Sequence, residues 1–193
     1  DSYFPKVQEL QEISLRRGRF AGGTFSPKGF MFYPRYIPTE VDLEPAIRKG
    51  IQKACRNMLK LPVPFIGIRG MRKFANHIVE WPKFAMDEEH LSHEIAKINI
   101  LLEDQGTGGA GFRFMYATFL RQAAEIIKEP RLLDFSKRMM ENGDKWREIS
   151  LKSARMGKNR DLGPDRLNEL KALILERADV EEAFFKDLMK TIK

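Results

Sequence analysis

"RLLDFSKRMMENGDKWREISLKSARMG", residues 131–157, carries an Asn-Gly pair at 142–143 in the middle of an apolar period. Asn-Gly is the strongest short turn signal, and a turn there would fold the stretch into a hairpin. Yet Leu132, Met139, Trp146 and Ser153 recur at a seven-residue step straight through the pair. A turn would destroy that step, whereas one helix keeps all four on a single face. The stretch therefore reads as a continuous helix, with Gly143 at a close helix crossing.

The segments on either side carry the same period. "GKNRDLGP" (157–164) reads as a loop, with Gly163 and Pro164 fitting the cap and first position of a final long helix. In that helix Leu167, Leu170, Ile174, Ala178, Phe185 and Leu188 can face a core. Upstream, Asp42 is a candidate N-cap and Pro45 falls in the first turn of a helix to Lys60, with Ile47, Ile51, Ala54, Cys55, Met58 and Leu59 inward. "LPVP" (61–64) stops it. A second helix covers 66–80 with Ile68, Met71, Phe74, Ala75 and Ile78 inward. Asp87 caps a third, in which Leu91, Ile95, Ile98, Leu101 and Leu102 form one stripe. A fourth presents Phe112, Met115, Tyr116, Phe119, Leu120 and Ala123 on one face. The expected fold is all-α: a bundle of five or six helices, three of them long and antiparallel, over residues 41–193.

Residues 1–40 differ in kind. "FPKVQELQEISLRRGRF" can hold a short helix, but "GGTFSPKGFMFYPRYIP" (22–38) is proline-punctuated, aromatic and without helical period. It reads as an extended arm. Burying each ring is worth about 2 kcal/mol, so the arm is expected to pack on its own helices, another domain or a neighbouring subunit. A homo-oligomer is one outcome.

The chain has 193 residues, 42% of them hydrophobic, enough for one ordinary core. No apolar run approaches the roughly 18 residues of a membrane span, and no signal peptide is evident. With one cysteine, Cys55, no intrachain disulfide can form. These features point to a soluble, cytoplasmic protein without a membrane partner. The net charge is +7, and its entire excess lies in residues 1–80, which an acidic partner could use. No helix-turn-helix, zinc-finger or RNA-binding motif accompanies it, which argues against nucleic acid. The first residue is Asp1 rather than Met, as in a processed chain or a piece of a longer one.

Candidate chemistry is sparse. His90 and His93 are spaced for one helix face, but no further ligand cluster supports a metal site. Cys55 lies in an apolar stripe, as a packed thiol would. The methionines, Met31, Met58, Met71, Met86, Met115, Met139 and Met140, read as core filler. No P-loop or GxSxG occurs. No catalytic residue, metal or cofactor is expected. What remains is "GTGGAG" (106–111), which leads into the fourth helix. Glycines there would leave the first-turn N–H groups open to an anion, with Arg113 assisting. Alternatively, Gly106 caps the third helix while Gly108, Gly109 and Gly111 permit close packing. Gly106, Thr107, Gly108, Gly109, Arg113 and Tyr116 are the candidate substrate- or partner-binding residues.

"DLEPAIRKGIQKACRNML" (42–59), "GIRGMRKFANHIVEWP" (67–82), "GTGGAGFRFMYATFLRQAAEI" (106–126) and "KWREIS" (145–150) together resemble the helical domain that accompanies the papain-like N-terminal domain of butirosin biosynthesis protein H. The resemblance covers about residues 40–190. It implies an accessory domain beside a cysteine acyltransferase or amide hydrolase on the same polypeptide. The butirosin member moves an aminoacyl group from an acyl carrier protein to an aminoglycoside amine. The nucleophile it implies belongs to an upstream His-Cys motif. Here Cys55 follows Ala54, and no residue is carried over as catalytic. Two readings follow: an accessory domain lining a substrate or carrier cleft, or an interaction or oligomerisation bundle without a ligand.

Overall fold

The Asn-Gly pair lies inside an uninterrupted helix. The computed structural model describes residues 40–105 and 108–192. Among them are six α-helices and no strand: α1 Glu44–Lys60, α2 Gly67–Ile78, α3 Glu88–Asn99, α4 Arg113–Ile126, α5 Arg131–Asn159 and α6 Pro164–Thr191. The all-α bundle expected from the periodicity is what forms. The arm assigned to residues 1–40 lies, but for Glu40, outside the described residues. Residues 42–193 form one unit.

Local chemistry sets the helix ends. The Asp42 carboxylate accepts the Glu44 N–H at 3.0 Å, and Glu44 and Lys60 complement the dipole of α1. Asp87 accepts the His90 N–H at 2.7 Å and opens α3. At the end of α5 the Asp161 N–H reaches back to the Met156 carbonyl around Arg160, which is left-handed at φ 53°. That closure comes two residues later than the sequence suggested, so Asn159 is helical and the loop is only 160–163. Gly163 and Pro164 then start α6 as expected.

Two helices are long rather than three: α5 has 29 residues and α6 has 28. They form an antiparallel hairpin, joined by contacts such as Lys152 to Glu169 and Arg138 to Asp187. Helices α3 and α4 pack on α5, and α1 and α2 pack mainly on α6. The core comes in two clusters. One gathers Ile51, Leu120, Leu132, Met139, Phe184 and Leu188, and the other Ile78, Ile95, Trp146, Leu167, Leu170 and Ile174. Each fully buried aliphatic contributes about 1.5–3 kcal/mol.

Two expected faces and the reading of the methionines need correction. A π-turn at Ile100–Asp104 adds a residue to the winding, so Leu101 leaves the α3 stripe and is 50% exposed. Phe112 is not helical; it sits at φ 71° before α4, and the buried face is Ala117, Leu120, Ala123 and Ala124, with Tyr116 and Phe119 half-buried. Of the methionines read as core, Met139 is buried and Met58 and Met71 are half-buried. Met86, Met115 and Met140 are exposed, and Met31 lies outside the described residues.

Gly143 is where α4 meets α5. A Cβ there would stand 2.6 Å from the Phe114 ring. Gly143→Ala therefore sets a helix-propensity gain of about 1 kcal/mol against overpacking of about 1–3 kcal/mol. Urea denaturation is expected to show destabilisation in the wild-type background and stabilisation in a Phe114→Ala background. The same sign in both would remove the close crossing as the reason for glycine.

Candidate functional site

The corner between α3 and α4 is built from left-handed backbone. Gly108, Gly109 and Gly111 have φ of 65°, 89° and 59°, and Ala110 and Phe112 join them at 50° and 71°. Two non-glycine residues in that region mark stored strain. The corner is tethered: Glu103 accepts the Ala110 N–H at 3.4 Å and lies 3.5 Å from Arg147, whose guanidinium sits 4.6 Å over the Phe114 ring. At Gly109 a Cβ would come within 2.9 Å of Arg147 Nη2.

Arg113, the first residue of α4, turns inward. Its Nε donates to Glu181 Oε1 at 2.5 Å, its Nη1 donates to the Ala110 carbonyl at 2.9 Å, and its guanidinium lies 4.2 Å from the Trp146 ring centroid. Glu181 is 2% exposed. The same Oε1 also accepts from Asn142 Nδ2 at 2.8 Å and from Trp146 Nε1 at 2.7 Å. Arg177 Nη1 donates in turn to Asn142 Oδ1 at 3.5 Å. This polar layer lies between the two core clusters, since Asn142 separates Met139 from Trp146 and Glu181 separates Ile174 from Phe184. A buried carboxylate requires such partners.

Against this layer lies a cavity of about 290 Å³. Arg113 and Glu181 form its polar wall, and Met58, Phe112, Met139, Phe185 and Tyr116 also line it. The Tyr116 ring stacks on Phe119 at 5.8 Å and tilts against Phe185. Its hydroxyl is buried and has no hydrogen-bond partner among the described residues. Burial, and then the neighbouring Cys55, push its pKa well above the usual phenol value. Burial likewise pushes the Cys55 thiol up, to about 11, so at neutral pH it is no nucleophile. No group of three potential metal ligands occurs among the described residues, and His90 Nδ1 accepts the Met86 N–H at 3.1 Å.

Arg113 and Tyr116 thus come together at one cavity, with Gly111 beside them. Gly108 packs against Met115, and Gly109 faces Arg147 and Glu103 on another side. Gly106 and Thr107 lie outside the described residues. Sequence reasoning missed Glu181, Asn142 and Arg177. The available signal was the core step of α6: Ile174, Ala178, Glu181, Phe185 and Leu188 alternate four and three residues apart, with a carboxylate in an apolar slot.

A family model described as Domain of unknown function (DUF4872) matches residues 13–188. The chain belongs to this family. No curated protein and no solved structure matches it. Among the described residues of this DUF4872 chain, no helix is long and apolar enough to cross a membrane.

Removing the Glu181 carboxylate strands Arg113, Asn142 and Trp146. Glu181→Ala is expected to cost about 3–5 kcal/mol in denaturant unfolding, and Glu181→Gln, which keeps one acceptor oxygen, distinctly less. Equal losses would show that packing volume, and not the acceptor, holds the layer.

Cys55 has its folded pKa raised from 9.0, so its contribution to stability is complete below pH about 9 and is lost as pH rises through about 11. At pH 8 a thiol reagent should label native protein far more slowly than unfolded protein. Equal rates would overturn the buried-thiol assignment.

Proposed function

We propose that this domain is the non-catalytic helical partner of a papain-fold acyltransferase or amide hydrolase domain on the same polypeptide, with its corner and cavity forming part of a substrate or acyl-carrier-protein cleft. The link to such enzymes is supported by the sequence motifs quoted above. The observation that carries the binding role is on α1. Lys49, Lys53, Arg56 and Lys60 recur at steps of four, three and four residues, are all exposed, and make no ion pair among the described residues. They form one basic stripe about 16 Å long at 1.5 Å per residue. Ala54, Asn57 and Met58 of the same helix line the cavity. An acidic carrier docked on the stripe would hold its cargo near the cavity mouth, with charge steering the encounter. Arg113 is matched to Glu181, so its role in this reading is to shape the wall.

A second reading, an interaction or oligomerisation module without a small ligand, draws on exposed apolar side chains at Phe65, Phe84, Met86, Phe112 and Met115. Both are tested on the protein expressed from its complete reading frame. Binding of an acidic acyl carrier protein, followed by surface plasmon resonance, is expected to weaken at least tenfold in Lys53→Glu/Arg56→Glu and to fall steeply with salt. Carrier binding that ignores both changes, or no carrier binding together with concentration-dependent self-association in light scattering, would favour the second reading.

A further inference from the structure

The seam between α1 and α4 is the open side of the first core cluster. Around that cluster α4 packs on α5, α5 on α6 and α6 on α1, but no comparable backbone packing closes α1 against α4. We infer that this seam receives an acidic, amphipathic helix of a partner protein, about three turns long, with its apolar face inward. The inference deepens the reading of α1 as a docking surface and rests on it for the sign of the charge; the groove itself stands on separate observations.

Helical spacing fixes which face of α1 borders the seam. Ala54, Asn57 and Met58 line the cavity together with Phe112 and Tyr116 of the opposite wall. Ala46 and Gly50 precede Ala54 by two turns and one turn on that same face, and both are exposed. The other flank of α1 is taken: Gln52 donates to the Ile192 carbonyl, just past the end of α6, at 2.9 Å. On the α4 side Tyr116 and Phe119 are stacked and half-buried, and Phe112 and Met115 stand 53% and 56% exposed at one end. One wall is therefore small and the other aromatic. A docked helix uses both, through close backbone approach on one side and apolar burial on the other.

Gly50 is an independent observation. It lies in the interior of α1, where glycine is the poorest helix former after proline. A Cβ built there would meet nothing within 4 Å, and its φ is not positive. No contact among the described residues and no backbone angle calls for a glycine at this position. A second helix crossing α1 there does.

Charge selects the chemistry of the partner. Lys49, Lys53, Arg56 and Lys60 run along the outer edge of the seam without an ion pair among the described residues. The single acid of α1, Glu44, already accepts from Arg48 Nε at 2.8 Å. Carboxylates at three- and four-residue steps on a docked helix would face this row, and a basic helix would be repelled by it. From Ala46 to Asn57 the groove runs about 16 Å at 1.5 Å per residue, the length of three helical turns. A flat lipid surface would meet the lysines and Met115 without reaching the half-buried Tyr116 and Phe119.

Fluorescence anisotropy on the full chain tests this with three labelled peptides of about fourteen residues. One carries Leu at three- and four-residue steps with Glu and Ala between, the second has Lys for each Glu, and the third is a scrambled acidic peptide without an apolar face. The first is expected to bind saturably and about tenfold or more tighter than the other two. Gly50→Gln should weaken it about tenfold and yet raise the thermal midpoint, since the new side chain stands in the groove and favours the helix. A purely structural role for Gly50 would not give that pair of changes. Lys53→Glu/Arg56→Glu should weaken the same peptide. Wild-type affinity in Gly50→Gln, equal binding of the scrambled peptide, no binding of any peptide, or tighter binding to phosphatidylglycerol vesicles than to the first peptide would each overturn the inference. So would self-association of the chain, abolished by Gly50→Gln, in place of peptide binding. Carrier binding that survives Gly50→Gln but not the charge reversals removes the groove and leaves the stripe reading standing. Peptide binding without carrier binding does the reverse.

Discussion

The arrangement of this bundle depends on one buried carboxylate. Glu181 sits where α6 should present an apolar side chain, and its Oε1 collects donors from three places: Arg113 at the start of α4, and Asn142 and Trp146 one turn apart on α5. Replacing such a cluster by hydrophobic side chains is often neutral or stabilising, so its effect on the total free energy does not explain it. Its geometric consequence does. Its three donors come from two other helices, so the carboxylate ties α4 and α5 to one point on α6. The clusters on either side are apolar. The polar layer is the point at which the long hairpin and α4 are joined by directional bonds.

That constraint reaches the corner. Arg113 is both the last member of the layer and the first residue of α4, and it also holds the Ala110 carbonyl. Ala110 and Phe112 occupy left-handed backbone that costs roughly 1–2 kcal/mol each. Such conformations persist only where the surroundings over-determine them. Here Arg113 on one side and Glu103 with Arg147 on the other do so. Phe112 stands 53% exposed at the edge of the cavity.

Most of the fold was legible because it follows from period and punctuation. Leu132, Met139, Trp146 and Ser153 outvoted Asn142-Gly143, and the close approach of Phe114 explains why a glycine tolerates the middle of that helix. Asp87 and Gly163-Pro164 announced their helix starts. The π-turn was not legible, since one added residue of winding leaves no compositional mark, and Leu101 was misplaced by it. Nor was the left-handed Phe112, whose apolar side chain matches the α4 period while its backbone does not. The site was half legible: the glycines pointed to the corner, and Arg113 and Tyr116 were within reach of it by spacing. Glu181 was legible only through its place in the apolar step of α6, since its partner Arg113 lies 68 residues away.

The layer and the cavity also explain each other. A carboxylate and a guanidinium can line an apolar hollow only when they are already matched; otherwise the hollow would fill with counter-ions or water and cease to be apolar. Once matched, they form a polar but electrically closed wall. Lys49, Lys53, Arg56 and Lys60 of α1, which make no ion pair among the described residues, are outside. Charge on this domain is therefore divided by depth: matched in the buried layer, and exposed along α1.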